Sequence, residues 1–146
     1  MKTILLILFS SFLLSSNGWL TNFDTATKAA TEKHQLILLN FSGSDWCGPC
    51  IRLRKEIFET AAFISFADSN LVLINADFPR NKKNRLSEDQ TKQNDAIADK
   101  YNPEGKFPYT LLLNADGKVL KEWDGFPNET PTGFIAAIKS VCDANK

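Results

Sequence analysis

The sequence has few cysteines, no net charge and no long apolar run, and each shortage excludes a class of protein. Three cysteines in 146 residues are too few for a small disulfide-stapled scaffold or for a four-thiolate zinc site. Lys and Arg number 17, as do Asp and Glu, so the chain lacks the basic charge that nucleic-acid binding requires. The chain is nevertheless 43% hydrophobic and 11% aromatic, which excludes a disordered protein and predicts one globular domain.

The longest apolar run lies at the N-terminus, where Lys2 precedes the largely apolar residues 4–14. A membrane-spanning helix needs about 20 such residues, so this run is short for a permanent span. One positive charge, a short apolar stretch and then small residues are typical of a secretory signal peptide. We predict a signal peptide over 1–18 and a mature domain over 19–146 that is periplasmic or secreted and has no stable membrane span. An uncleaved N-terminal anchor is the alternative.

Apolar patterns and turn signals divide the rest of the chain into alternating helices and strands. Short continuous apolar runs are typical of strands buried on both faces. Asp24 is placed to cap the first helix, and Thr130-Pro131 is typical of a helix start. The predicted helices are 25–34, the stretch from Cys47, 61–67, 90–101 and 131–144, and the predicted strands are 36–41, 71–74, 109–114 and 119–123. This order predicts an α/β sandwich around a mixed sheet.

The segment after the second predicted strand is polar, and we interpret residues 78–91 as a long loop. Its stretch 79–85 is dense in basic residues: Arg80, Lys82, Lys83 and Arg85. Such a run either docks an acidic partner or, more commonly, is a solvated loop. The sequence leaves both interpretations open.

The strongest chemical signal is Trp46-Cys47-Gly48-Pro49-Cys50, where a buried strand gives way to an amphipathic helix. A helix N-terminus carries free N–H groups and partial positive charge, so it favours a thiolate over a thiol. Positions i and i+3 share one helix face, with Cβ atoms about 5–6 Å apart, and a disulfide needs about 3.5–4.5 Å. A small adjustment of the first turn therefore converts dithiol to disulfide, and Gly48 and Pro49 leave this turn open around the sulfurs.

Position along the helix predicts the roles of the two cysteines. Cys47 is nearer the helix tip and is expected to be the more exposed, so it is the attacking thiolate, and Cys50 resolves the mixed disulfide.

A zinc half-site needs two more ligands, and the chain offers only His34 and Cys142. We expect Cys142 to be a small buried apolar residue, or else an exposed thiol. A purely structural bridge would close too short a loop to add much stability. We predict a redox pair without metal or organic cofactor.

The stretch 36–50 resembles the active-site region of the thioredoxin family. The resemblance covers most of residues 20–146 and continues in Phe107-Pro108-Tyr109-Thr110, in Asp116-Gly117-Lys118 and at Gly125. It implies a thioredoxin fold, an α/β three-layer sandwich with a central mixed sheet of four to five strands flanked by helices, the fifth being a short strand near Trp19. The residues before Cys47 and the insert after Asp77 are more similar to exported members than to cytosolic thioredoxin.

The resemblance also implies a substrate-binding surface. Pro108 matches the proline that is cis in the family and faces the two cysteines. A cis bond there places the backbone of Phe107 where an extended substrate can pair with it. The Phe107 ring then either forms an apolar platform for substrate or packs internally. Trp46 is expected to be partly exposed beside Cys47 and to touch substrate, with packing alone as the alternative.

The sequence departs from cytosolic thioredoxin at the buried acid that helps to deprotonate the inner cysteine. Asn40 occupies that position, and the partner lysine aligns with an apolar residue, about Leu73. An amide cannot accept a proton, so the relay through Asn40 is expected to be absent. Cys50 must then lose its proton to water or to another group, for which Asp45 is the candidate.

These observations predict an exported protein thiol–disulfide oxidoreductase. Its partners would be proteins with disulfides or dithiols, and a further redox protein that exchanges electrons with it. Gly-Pro between the cysteines resembles the reducing members, and Pro49 lacks an N–H that could stabilise the thiolate, so reductase or isomerase is favoured over oxidase. The alternative is a module that binds polypeptides on the Trp46, Phe107 and Pro108 surface, with redox chemistry incidental. A thiol peroxidase would need an Arg or Thr arranged near Cys47, and no such local pattern is present.

Overall fold

The computed structural model describes residues 18–145, and the predicted signal peptide lies outside this range except for its last position. Within the described range, none of the helices combines the length and the apolar character needed to cross a bilayer. The elements follow the predicted order. The helices are α1 (Phe23–Lys33), α2 (Gly48–Leu53), α3 (Ala61–Asn70), α4 (Glu88–Tyr101) and α5 (Pro131–Ala144), and the strands are β1 (Leu36–Ser42), β2 (Leu71–Asp77), β3 (Tyr109–Leu113) and β4 (Val119–Asp124). Helix α2 continues as a π-helical turn over Arg54–Phe58, and a 3-10 turn covers Lys82–Asn84.

Two predicted helix starts are wrong. Asn22, not Asp24, caps α1, because its side chain accepts the N–H of Thr25 at 2.8 Å. Helix α4 begins at Glu88 with Ser87 as its N-cap, so the loop after β2 ends at 87. The cap serine and the acidic residues in the first turn of α4 are standard signals of a helix N-terminus, and they outweigh the polar composition that suggested a longer loop.

The sheet is mixed, as predicted, with strand order β2-β1-β3-β4. β1 runs parallel to β2 and antiparallel to β3, and β4 is antiparallel to β3. A fifth strand near Trp19 does not form within the described range, where a single parallel bridge joins Leu20 to Ile74. β1 is buried along its whole length, because it has a strand on each side and helices over both faces.

Helices on both faces of the sheet complete the expected three-layer sandwich. Side chains of β1 alternate between two apolar clusters, as strand geometry requires. Leu38 lies in the cluster that includes residues of α3 and α5. Ile37 and Leu39 lie in the cluster that includes residues of α1 and α4. β1 thus forms the centre of the core and ends where the next segment of interest begins.

Replacing Phe134 of α5 by alanine tests this packing. The Phe134 ring is fully buried, with its centroid 4.8 Å from that of Trp123 and 6.4 Å from that of Phe63. We expect Phe134→Ala to lower the free energy of unfolding by about 3–5 kcal/mol, because it leaves a cavity among rigid rings. Ile64→Ala on α3 is the control, since Ile64 is 47% exposed and its truncation should change stability by no more than about 0.5 kcal/mol. Urea unfolding measures the free energy of unfolding of both variants. Equal losses would contradict the assignment of Phe134 to the core.

Candidate active site

The two predicted redox cysteines form a disulfide at the carboxyl end of β1. Cys47 is the N-cap residue of α2, and its Sγ accepts the N–H of Cys50 at 3.3 Å. The two Cα atoms are 5.2 Å apart. Gly48 and Pro49 form the exposed first turn of the helix between them. The Cys50 N–H is a donor of the kind that stabilises a thiolate on Cys47 in the reduced form.

The prediction that Cys47 is the more exposed cysteine is wrong for the disulfide form, since each residue is 5% exposed. The disulfide directs the Cys47 sulfur toward the first turn of α2, where the Cys50 N–H contacts it, and this covers it as fully as its partner. The two sulfurs differ instead in what lies beside them. Cys50 lines a cavity behind the helix, and Cys47 does not.

Three aromatic rings pack against one another, beginning with the residue before Cys47. The indole of Trp46, the residue before Cys47, packs edge-on against Phe107 with ring centroids 5.4 Å apart, and Phe107 packs against Phe78 at 5.5 Å. The indole N–H donates to the carbonyl oxygen of Phe78 at 2.7 Å. Gly43 makes room for the indole, because a Cβ there would lie 2.3 Å from the ring. Trp46 is half-buried, as predicted, whereas its partners Phe78 and Gly43 were not identified from the sequence.

The Phe107–Pro108 peptide bond is cis, as the resemblance implied. Tyr109, the next residue, pairs with Phe41 near the carboxyl end of β1, so the proline loop lies at the same edge of the sheet as the cysteines. The carbonyl oxygen of Pro108 accepts the N–H of Gly125 at 2.9 Å. Gly125 has φ 81°, a conformation that favours glycine. This accounts for the glycine that the resemblance to the thioredoxin family includes at this position.

A cavity of about 240 Å³ lies behind Cys50. It is lined by polar side chains of β1, β2 and the turn after β1, together with apolar and basic side chains of α2 and its surroundings: Asn40, Ser42, Ser44 and Asn75, and Trp19, Ile51, Arg54 and Phe58. None of these lining residues is a carboxylate. The lining next to the inner cysteine therefore includes polar side chains but no acidic group.

Asn40, which the resemblance aligned with the buried acid of the family, pairs with a second neutral amide, Asn75. Asn40 donates from Nδ2 to Asn75 Oδ1 at 2.9 Å and accepts the Thr110 hydroxyl at 3.0 Å. Asn75 lies opposite Asn40 in the parallel register, whereas Leu73 lies opposite Leu38. The described hydrogen bonds of Asn40 hold its amide in one orientation, and an amide offers no site that takes up a proton at neutral pH.

A carboxylate does stand close to this wall, at the end of β2. Asp77 accepts the Ser42 hydroxyl at 3.1 Å and the Ser44 N–H at 2.9 Å through Oδ1, and the Ser44 hydroxyl through Oδ2. The Ser42 hydroxyl has a second acceptor, Asn75 Oδ1 at 3.2 Å. The two serines thus connect the cavity to Asp77. Asp77 was not identified from the sequence, although Ser42 and Asp77 are direct partners in the β1–β2 register.

Asp45, the candidate proton acceptor, holds the loop after β2. Its Oδ1 accepts the N–H of Arg80, and its Oδ2 accepts the N–H of Asn81 and the amide of Asn84, each at 2.9 Å. These bonds lower the pKa of Asp45, and the Arg80 N–H contributes most. The lowered pKa keeps Asp45 charged at neutral pH, so the contact weakens only as the pH falls through that lowered pKa. Asp45 does not line the cavity behind Cys50.

Cys142 lies within α5 and is 6% exposed, in the same apolar cluster as Leu36 and Ala67. Its burial agrees with the prediction of a small buried apolar residue and disagrees with the alternative of an exposed thiol. Across residues 18–145, no three His, Cys, Asp or Glu side chains are grouped so as to hold a metal ion.

Comparison with known proteins agrees with this geometry. A family model described as a thioredoxin-like domain matches residues 23–141. The chain is 31% identical over 120 residues to disulfide bond reductase DsbH of Chlamydia pneumoniae, covering 82% of this chain and 70% of that protein. It is 29% identical over 127 residues to thioredoxin-related protein DsbJ of the same organism, covering 87% of this chain but only 36% of that protein. A solved structure of DsbH oxidoreductase superposes with a TM-score of 0.77 at 28% identity, over 86% of this chain and 84% of that one.

The matched region contains the Cys47–Cys50 disulfide, the cis-proline loop and all four strands of the described sheet. The fold, the cysteine pair and the relatives thus agree on one chemistry, the exchange of thiols and disulfides. The chain therefore belongs to the thioredoxin-like family, as a protein thiol–disulfide oxidoreductase.

Proposed function

We propose that the protein is an exported reductase of protein disulfides in which Cys47 attacks and Cys50 resolves. The observation that carries this proposal is the Cys47–Cys50 disulfide at the start of α2, with the Cys50 N–H directed at the Cys47 sulfur. In the reduced protein the same N–H would stabilise a Cys47 thiolate. The apolar N-terminal run supports export, and the name of the relative DsbH supports reduction as the direction.

The reaction consists of two exchange steps. The Cys47 thiolate attacks one sulfur of a substrate disulfide, which forms a mixed disulfide and releases the other substrate sulfur as a thiolate. Cys50 then loses its proton and attacks the Cys47 sulfur, which closes the intramolecular disulfide and releases the second substrate thiolate. The substrate gains two electrons and the cysteine pair loses them. A second redox protein must return two electrons to Cys47 and Cys50 before the next cycle.

The aromatic surface beside Cys47 is where we place the substrate chain. Trp46 and Phe107 are each half-buried, so part of each ring remains available to apolar side chains. The backbone of Phe107, next to Pro108, offers hydrogen-bonding groups to an extended segment. In this arrangement the substrate contacts Trp46, Phe107 and Pro108 while its disulfide lies over Cys47.

The cavity behind Cys50 is lined by no carboxylate, and this bears on where the Cys50 proton goes. Asn40 takes up no proton, and the cavity of about 240 Å³ is lined in part by polar side chains and is large enough to admit water. Water there would reach the hydroxyls of Ser42 and Ser44, which both donate to Asp77. We therefore place proton transfer along this path, from the Cys50 thiol to water, through a serine hydroxyl and onto the Asp77 carboxylate, from which it leaves to solvent.

Single cysteine replacements test the assignment of roles. Cys47→Ser should abolish insulin reduction, because the attacking sulfur is gone. Cys50→Ser should still attack but accumulate the mixed disulfide, which mass spectrometry detects. Cys142→Ala, which alters a cysteine buried elsewhere in the core, should retain wild-type turnover. If the wild type reduced insulin no faster than Cys47→Ser, the result would favour the polypeptide-binding module over the enzyme.

A redox titration against glutathione tests the direction. A reductase should have a potential near that of thioredoxin, about −270 mV, and an oxidase one near about −120 mV. We expect the lower value, because Pro49 has no N–H and the described donor to the Cys47 sulfur is the Cys50 N–H alone. Fewer donors stabilise the thiolate less and leave the disulfide form favoured. A potential above about −180 mV would contradict the reductase assignment.

Paired amide replacements test the proton path. Asp77→Asn should slow the resolving step several-fold at pH 7, and the remaining rate should rise with pH as solvent removes the Cys50 proton. Asp45→Asn is the matched control and should resolve a preformed mixed disulfide at the wild-type rate, because Asp45 faces the 80–84 segment. Stopped-flow tryptophan fluorescence across pH follows the step. Slowing by Asp45→Asn and not by Asp77→Asn would move the acceptor role to Asp45.

A further inference from the structure

The loop between β2 and α4 carries a concentrated positive charge. Residues 79–87, here named the basic loop, contain two arginines and two lysines and no acidic residue, in a chain whose formal net charge is zero. The basic side chains are all exposed: Arg80, Lys82, Lys83 and Arg85. None of them forms an ion pair with a residue in the described range. The charge is therefore available to a partner.

Hydrogen bonds from the active-site turn fix the basic loop in place. Asp45, two residues before Cys47, accepts the backbone N–H groups of Arg80 and Asn81 and the side-chain amide of Asn84, each at 2.9 Å. Charged acceptors make the stronger class of hydrogen bond. A solvated loop needs no such attachment, so these contacts distinguish the basic loop from an ordinary polar insert.

The same loop lies directly against the substrate surface. The Arg80 guanidinium stacks on the Trp46 indole, with Cζ 3.6 Å from the ring centroid. The indole N–H donates to the carbonyl oxygen of Phe78, just before the loop, at 2.7 Å. Trp46 in turn precedes Cys47 and packs against Phe107. A polypeptide that brings its disulfide to Cys47 must therefore pass beside Arg80.

We infer that the basic loop is a docking surface for acidic polypeptide segments next to the substrate disulfide, so that the enzyme selects acidic substrate proteins. This inference rests on the proposed reductase function and adds a substrate class to it. Charges at the rim of an interface mainly raise the rate of association and exclude partners of like charge. Their range is about 8 Å at physiological ionic strength, so the selected carboxylates must come close to the basic side chains.

The test compares disulfide peptides that differ only in charge. Matched cystine peptides flanked by Glu or by Gln are reduced by the full protein at low and at physiological salt, and kcat/KM is measured for each. We expect about a tenfold preference for the Glu peptide at low salt, which shrinks as salt is added. Lys82→Glu/Lys83→Glu should remove most of this preference while the Gln peptide is reduced at the wild-type rate. These lysines lie outside the Trp46 contacts, so the aromatic surface stays intact.

Lys33→Glu/Lys118→Glu is the control, because it changes the net charge by the same amount. Lys33 ends α1 and Lys118 lies in the β3–β4 turn, at the edge of the sheet opposite the cysteines, so this variant should keep the preference. Equal kcat/KM for the Glu and Gln peptides at both salt concentrations would overturn the inference and leave the reductase function standing. Failure to reduce either peptide would instead refute the proposed function. Retention of the protein on anionic phospholipid vesicles, without any peptide preference, would assign the loop to a membrane surface and also overturn the inference.

Discussion

The position of β1 between β2 and β3 is the constraint on which the rest of the structure depends. Parallel pairing sets Ser42 opposite Asp77, and antiparallel pairing sets Phe41 opposite Tyr109. The ends of β1 and β2 and the start of β3 therefore meet at one edge of the sheet. The cysteine turn, the basic loop and the cis-proline loop all join the sheet there. A shift of β1 by one residue would exchange its two buried faces and separate these groups.

Trp46 joins the three segments that meet at this edge. Its indole occupies the space that Gly43 leaves, donates to Phe78, packs against Phe107 and carries the Arg80 guanidinium on its face. An indole can make these contacts together because it has an apolar edge, an electron-rich face and one N–H donor. The surface next to Cys47 is consequently built by parts of the chain that are distant in sequence but held to one another.

The cavity beside the inner cysteine is lined without any carboxylate. Asn40 and Asn75 form a neutral pair beside the cavity that Cys50 lines, and a neutral pair avoids the desolvation cost of a buried carboxylate. The nearby carboxylates of Asp77 and Asp45 lie toward the edge of the sheet, where each accepts several hydrogen bonds. One organises the serines of the cavity wall, and the other organises the basic loop. The lining of this cavity thus offers the inner cysteine hydroxyl and amide groups but no acidic group.

Local patterns were enough to predict much of this protein. The four strands, the last helix with its Thr130 cap and the Cys47–Cys50 pair each depend on residues within one or two turns of chain, so their signals are readable in order along the sequence. The cis bond before Pro108 came from family resemblance. Asp45 and Asp77 could not be assigned in this way. The hydrogen-bond partners of the Asp45 carboxylate lie 35 to 39 residues further along the chain, and those of the Asp77 carboxylate lie 33 to 35 residues back. Only the pairing of β1 with β2 brings these partners together, since hydrogen bonds depend on distance in space and not on separation in sequence.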